Sequence, residues 1–330
     1  MALLREVSRS SGSPGGTDVL SPAGPHADSA ATLLWVLFSV ATVVVVVVTV
    51  LVMAAAIRSS RNRDDKKPAA AATEPHPREG AGLRLVVVGG IVAPVIAGVA
   101  FFLMTIGPLA ALSDHGHDPL IIDVTGHRWW WDVQYPGLGI RTANEIYLPV
   151  GRDAVLRLRS ADVIHSVWVP ELAGKVDAIP GRTNELVLHA DRTGTFGGRC
   201  AEFCGLEHAR MRFTVIVEQP DAFSRWTHRN DRTPTTPTGS ALRGRDVFLG
   251  SACVYCHAVE GTNATSHLGP DLTHLASRGT LGAGTMPNDR GHLAGWLLDP
   301  QSAKPGNLMP AMDIPGDQLQ SLLDYLQSLR

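Results

Sequence analysis

The chain is poor in the residues that would place it in several large functional classes. Among 330 residues there are four cysteines, Cys200, Cys204, Cys253 and Cys256. That is too few for a disulfide scaffold. Aromatic residues make up 6%, charged residues 18%, and Lys plus Arg (29) do not exceed Asp plus Glu (31). A net charge of −2 gives no basic footprint, so no nucleic-acid partner is expected. Residues 1–29 have little apolar content and read as a flexible N-terminal tail. They hold no basic segment followed by a short apolar run and a cleavage site, so no ordinary signal peptide is expected. Charge is missing altogether from 30–57 and from 85–112, each 28 residues long.

Those two charge-free runs decide the setting. A bilayer core takes about 20 apolar residues as a helix, and a soluble helix is rarely apolar on every face for so long. The second run contains Pro94, Pro108 and Gly89-Gly90, which membrane helices tolerate. Both are expected to cross the lipid bilayer. The loop between them, 58–84, carries seven Lys/Arg, against only Arg5 and Arg9 in the tail. Positive loops stay in the cytoplasm. The runs therefore read as a transmembrane hairpin (30–112), with everything after residue 112 on the outer, periplasmic side.

Residues 113–218 change character. Ala154, Leu156 and Leu158 alternate with charged neighbours, and Leu186, Leu188 and Ala190 and then Phe213, Val215 and Val217 repeat the pattern. Period-2 alternation between Gly and Pro breaks predicts half-buried strands in a sandwich or barrel. Residues 219–240, rich in Pro and Thr, read as a linker. In 241–330 the period becomes helical, with Leu319, Leu322, Leu323, Leu326 and Leu329 on one face, which predicts a small all-α domain.

The first cysteine pair lies in Cys200-Ala-Glu-Phe-Cys204-Gly-Leu-Glu-His208-Ala-Arg-Met211, and His165 stands at a predicted strand end. Thiolate, imidazole and thioether suit copper better than hard cations. A Cys200–Cys204 disulfide is one reading in an oxidising compartment. A tetrahedral zinc site of His165, Cys200, Cys204 and His208 is another, in which Met211 adds little. A mononuclear blue-copper site leaves one cysteine over. Two coppers sharing both thiolates use the whole set. Each then takes one histidine, one adds Met211, and the other adds a backbone carbonyl.

The second pair lies in Cys253-Val-Tyr-Cys256-His257, the C-x-x-C-H pattern of covalent c-type haem. Cys253 and Cys256 would form the thioethers, and His257 would be the proximal iron ligand. Met309, Met312 and Met286 are candidates for the distal position; Met286 lies in a Gly-rich loop and reads as structural.

The Cys200–Met211 stretch resembles the binuclear copper (CuA) loop of cytochrome c oxidase subunit II. Gly126-His-Arg-Trp-Trp-Trp-Asp-Val-Gln-Tyr135, Ala161-Asp-Val-Ile-His-Ser-Val-Trp-Val-Pro170 and Lys175-Val-Asp-Ala-Ile-Pro-Gly-Arg182 resemble other signature stretches of that family. Gly244-Arg-Asp-Val-Phe248 and Leu268-Gly-Pro-Asp-Leu-Thr273 resemble a small cytochrome c. The whole order resembles a caa-type subunit II with a fused cytochrome c. The resemblance implies a multidomain membrane protein with a cupredoxin-type, Greek-key β-barrel. It implies His165, Cys200, Cys204, His208 and Met211 as side-chain copper ligands and Glu202 as a backbone-carbonyl ligand. Glu202 would also face a magnesium shared with subunit I. Trp129 would be the electron-entry aromatic, and Pro305-Gly-Asn-Leu-Met309-Pro310 resembles the distal-methionine loop, which favours Met309 over Met312. His115, His117, His127 and His189 are read as structural or solvated.

The implied function is electron transfer from an external cytochrome c or other one-electron donor, through the c haem and CuA, to subunit I, where oxygen is reduced to water. Subunits I and III are the implied partners, in a bacterial cytoplasmic membrane. Two alternatives stand beside it. One is the copper subunit of a nitric oxide reductase-type complex. The other is a copper carrier or assembly protein, which would need fewer ligands.

Overall fold

In a computed structural model of the chain, the described residues are 19–64, 79–111 and 116–330. Most of the expected tail, the centre of the expected cytoplasmic loop and His115 lie outside them. The chain divides into two compact units, one of residues 29–112 and one holding the rest.

The first unit is helical. Helix α1 (Pro25–Asp64) is followed by α2 (Glu79–Val87), a π turn over Val88–Val92 and α3 (Ala93–Ala111). The charge-free runs lie in these helices. Pro25–Ser60 and Gly82–Ala110 are long and apolar enough to cross a membrane, and none of their most apolar stretches is buried within the protein. Val43 to Val48 present their side chains outward all around α1. Apolar surface of that extent needs lipid to cover it. The π turn has a local cause: Pro94 lacks an N–H, and its ring presses on the carbonyl four residues back, at Gly90. The wider i→i+5 turn through Gly89 and Gly90 ends just before it.

The second unit begins with ten strands: β1 (Leu120–His127), β2 (Trp130–Tyr135), β3 (Ile140–Ala143), β4 (Glu145–Pro149), β5 (Ala154–Ser160), β6 (His165–Trp168), β7 (Val176–Ala178), β8 (Asn184–Leu188), β9 (Gly194–Cys200) and β10 (Arg212–Glu218). They form two five-stranded sheets, ordered β3-β2-β1-β5-β8 and β4-β10-β9-β6-β7. The alternation seen in the sequence is the cause. Leu120, Ile122 and Val124 of β1 point inward, and so do Phe213, Val215 and Val217 of β10. They meet Trp131, Tyr135, Phe196 and Leu158 in one apolar core.

Two expectations are corrected. Residues 219–230 are not linker: α4 (Pro220–Asn230) opens on Pro220 and buries Phe223 and Trp226 against the barrel. Trp226 stacks on Tyr147 (ring centroids 4.4 Å apart) and meets Tyr135 edge-on. Only 231–238 keeps the Pro/Thr character of a tether. The end of the expected flexible tail is also fixed. Ala23 N–H donates to Glu171 O (2.7 Å), and Asp191 N–H donates to Ala23 O (2.8 Å).

After the tether come α5 (Gly239–Leu249), α6 (Arg290–Leu298), α7 (Pro300–Ala303) and α8 (Gly316–Ser328). The leucine face of α8 is buried. Helices α5 and α8 cross at Gly244, where a Cβ would lie 1.8 Å from the carbonyl oxygen of Ser321. No residue with a side chain fits there.

Candidate functional site

Strands β10, β9 and β6 are neighbours in one sheet. This order brings His165 at the start of β6, Cys200 at the end of β9 and Met211 just before β10 to one end of the barrel. The loop from 201 to 210 adds Glu202, Cys204 and His208. His165 and Met211 are fully buried, and Cys200 and Cys204 nearly so. The two sulfurs are 3.8 Å apart. Both cysteines are free, since a disulfide needs about 2.05 Å. Nδ1 of His165 lies 3.9 Å from Cys200 Sγ, and Nδ1 of His208 lies 3.6 Å from Cys204 Sγ. Met211 Sδ is 3.8 Å from Cys204 Sγ. The carbonyl oxygen of Glu202 is 3.3 Å from Cys200 Sγ. Every residue expected as a copper ligand is therefore in one cluster, and His165, Cys200 and Cys204 alone present three donor atoms within 4.8 Å of one another.

The cluster fits soft metal. A thiolate–metal bond is about 2.3 Å, so sulfurs 3.8 Å apart can share an ion lying between them. The site also prefers one thiolate over a thiol. Cys200 is held well below its ordinary value, chiefly by the hydrogen bond from Cys204 and also by His165 and backbone N–H groups. Burial pulls His165 down, but bonds to Cys200 and Asp162 outweigh it and raise it. Asp162 Oδ1 lies 2.7 Å from His165 Nε2, which orients the ring and leaves Nδ1 facing the sulfurs. Gly126 makes room: a Cβ there would meet His165 Cδ2 at 2.8 Å. The side chain of Glu202 pairs with Lys175 across 3.6 Å at the surface.

The second site is a cavity of ≈ 370 Å³ in the C-terminal domain, lined by Cys253, Cys256, His257, Met309 and Met312 and by leucines of α6 and α8. Met286 packs on the domain core but does not line the cavity. Nδ1–H of His257 donates to the carbonyl of Pro270 at 2.7 Å, leaving Nε2 for a metal. Burial lowers the pKa of His257, although the Pro270 bond opposes this. A Cβ on Gly269 would lie 2.7 Å from His257 Cε1, so glycine is needed against the ring. Arg278, buried and lining the cavity, has an Nε without a partner among the described residues. A haem, apolar in its plane and carrying carboxylates at one edge, suits such a lining.

Trp129 joins the two sites. It lines the cavity, and its Nε1 donates to the carbonyl of Cys204 at 3.0 Å. His127 stacks on Trp130 at 4.4 Å, and His189 bonds Asp153 at 2.5 Å, so both are structurally engaged. His117 is exposed. Sequence reasoning missed Asp162, Gly269 and Arg278. Asp162 stands three residues before His165 and was visible as a carboxylate beside a histidine. Nothing in the spacing pointed to the other two.

Residues 138–219 match the family described as cytochrome c oxidase subunit II, periplasmic domain, and 241–330 match cytochrome c. Cytochrome c oxidase subunit 2 of Alkalihalophilus pseudofirmus is 37% identical over 262 residues, covering 77% of this chain and 76% of the relative. The subunit 2 of Bacillus subtilis is 30% identical over 251 residues, covering 73% and 70%. Among solved structures, the periplasmic domain of subunit II of the cytochrome oxidase of Bradyrhizobium japonicum aligns with a TM-score of 0.34 at 32% identity. It covers 36% of this chain and 96% of that one.

Proposed function

The chain belongs to the cytochrome c oxidase subunit 2 family, and from that membership we propose how its own residues serve electron transfer into a haem–copper oxidase. His165, Cys200, Cys204, His208, Met211 and the carbonyl of Glu202 hold two coppers as a CuA centre. Cys253 and Cys256 would attach one c haem covalently, and His257 and Met309 would hold its iron. When bound, these groups supply one-electron redox chemistry. The protein holds them rigid, excludes water from them and sets the path between them.

His165 is oriented by Asp162, and His257 by the Pro270 carbonyl, so neither ring must reorient when charge changes. The thioether of Met309 stabilises the reduced haem relative to a second imidazole. The chain receives electrons from an external cytochrome c or another one-electron donor at its C-terminal domain and delivers them through the barrel to subunit I. Subunit III completes the assembly, and Glu202 contributes to a magnesium site shared with subunit I. The charge-free helices fix the chain in a bacterial cytoplasmic membrane with both redox domains outside.

One observation carries this reading: Trp129 lines the cavity that holds Cys253, Cys256 and His257 and also bonds the backbone carbonyl of Cys204. Rapid mixing of the oxidised, fully loaded chain in detergent with less than one equivalent of a one-electron donor tests it. The haem band should be reduced first, and the copper band should follow at a rate independent of protein concentration. Copper reduced ahead of haem, or at a rate that scales with concentration, would overturn the relay.

A further inference from the structure

The C-terminal domain does not hang freely from its tether. Lys304 is 2% exposed, although lysine is among the residues least often buried. Its Nζ donates to three carbonyl oxygens: Trp129 at 2.7 Å, Arg210 at 3.0 Å and Gly282 at 3.0 Å. The first two belong to the barrel and the third to the haem domain. An ammonium has three donors and no acceptor, so three carbonyls converging on it satisfy it completely. Burial draws Lys304 down to about 7, against the pull of the Glu207 carboxylate, so the docked side chain keeps its proton below neutral pH.

Placing a cation between two domains is costly, but an apolar side chain there would take the ammonium donor away from all three carbonyls. What the lysine adds is a single register. Its three acceptors lie in three separate segments, and only one placement of the domains brings them together. The anchor is also rigidly tied to the haem site. Asn307 Nδ2 donates to the carbonyls of Pro300 and Lys304, and Gln301 Nε2 donates to those of Asn307 and Met309. The segment holding Lys304 therefore moves as one piece with Met309. Around it, Gly279 N–H donates to Glu145 Oε1 (2.7 Å) and Arg212 N–H to Ala283 O (3.1 Å).

We propose that Lys304 is a positioning residue that fixes the haem domain on the barrel in one docked register, with Trp129 held between the haem cavity and the Cys204 carbonyl. The proposal rests on the relay described above and adds what sets its geometry. Without the anchor the domain is a tethered module, and its encounter with the barrel is governed by effective concentration, which falls with tether length.

The test uses the full, loaded chain below neutral pH, with Lys304→Met and with a tether lengthened by a Gly/Ser insert within 231–238. The haem-to-copper step is timed by rapid reduction, and exchange of the Arg212 and Gly279 amides is followed by mass spectrometry. In Lys304→Met the haem and copper spectra should persist, the step should slow by about tenfold or more (about 1.4 kcal/mol in barrier), and both amides should exchange faster. The long tether should leave the rate unchanged when Lys304 is present and slow it further in Lys304→Met. An unchanged rate with unchanged exchange in Lys304→Met overturns the anchor. If Lys304→Met loses its haem, the long tether in the otherwise unaltered chain decides: a slowed step overturns the anchor, and an unchanged one supports it. Absence of any haem-to-copper step in the unaltered chain contradicts the relay itself, a result separate from these.

Discussion

The indole Nε1 of Trp129 donates to the carbonyl oxygen of Cys204 at 3.0 Å. That bond ties the wall of the haem cavity to a loop whose two sulfurs and imidazole face one another. Trp129→Phe keeps a ring and removes the donor. The copper and haem bands should survive, while haem-to-copper transfer slows by about tenfold or more, about 1.4 kcal/mol in barrier. Rapid-mixing absorbance separates these outcomes, and an unchanged rate would remove Trp129 from the path.

Asp162 reaches His165 Nε2 at 2.7 Å and also accepts the backbone N–H groups of Arg128 and Val163. Asp162→Asn keeps the shape and weakens the orientation of the ring. Loss of such a carboxylate partner costs about 10–100-fold in metal affinity. Copper retention during titration with a chelator should fall by that factor, with the haem band untouched.

Met309 and Met312 both line the haem cavity, and Met309 is fixed there: its N–H donates to Asn307 Oδ1 and its carbonyl accepts from Gln301. Met309→Leu should lower the haem potential and abolish the sulfur-to-iron absorption, because a thioether ligand raises the potential. Met312→Leu should leave both unchanged. The reverse pattern would move the ligand to Met312.

The copper cluster was legible because ligand chemistry and sequence proximity coincide: five of its six expected donors lie within 200–211, and the β alternation explains why His165 joins them. The grouping of Cys253, Cys256 and His257 on one cavity was legible for the same reason. The helix of 220–230 was not. Its burial signal is only Phe223 and Trp226, hidden beside a Pro/Thr-rich stretch. The docking of Lys304 was not legible either. Its partners are backbone carbonyls of residues 22 to 175 positions away, which leave no trace in side-chain pattern.

Away from the metal, Asp153 carries a pH dependence for the barrel. Burial pushes its carboxyl up, but the N–H of Gly116 and the ring of His189 pull it below the ordinary carboxylate value. A carboxyl depressed in the fold stabilises it above the unfolded pKa of about 3.9, and that stability is lost as pH falls through the depressed value. Asp153→Asn should therefore melt below the unaltered chain at neutral pH, and the gap should close in acid. A gap in Tm that ignores pH would assign the effect to packing instead.

We predict that Cys200 and Cys204 share two metals and do not serve one. Copper and haem analysis of the full chain purified in detergent, joined to its electron paramagnetic resonance spectrum, tests this directly. Two coppers for each haem, with a signal lacking ordinary single-copper hyperfine structure and lost in Cys204→Ser while the haem band remains, is the predicted result. One copper for each haem with an ordinary single-copper pattern would contradict it.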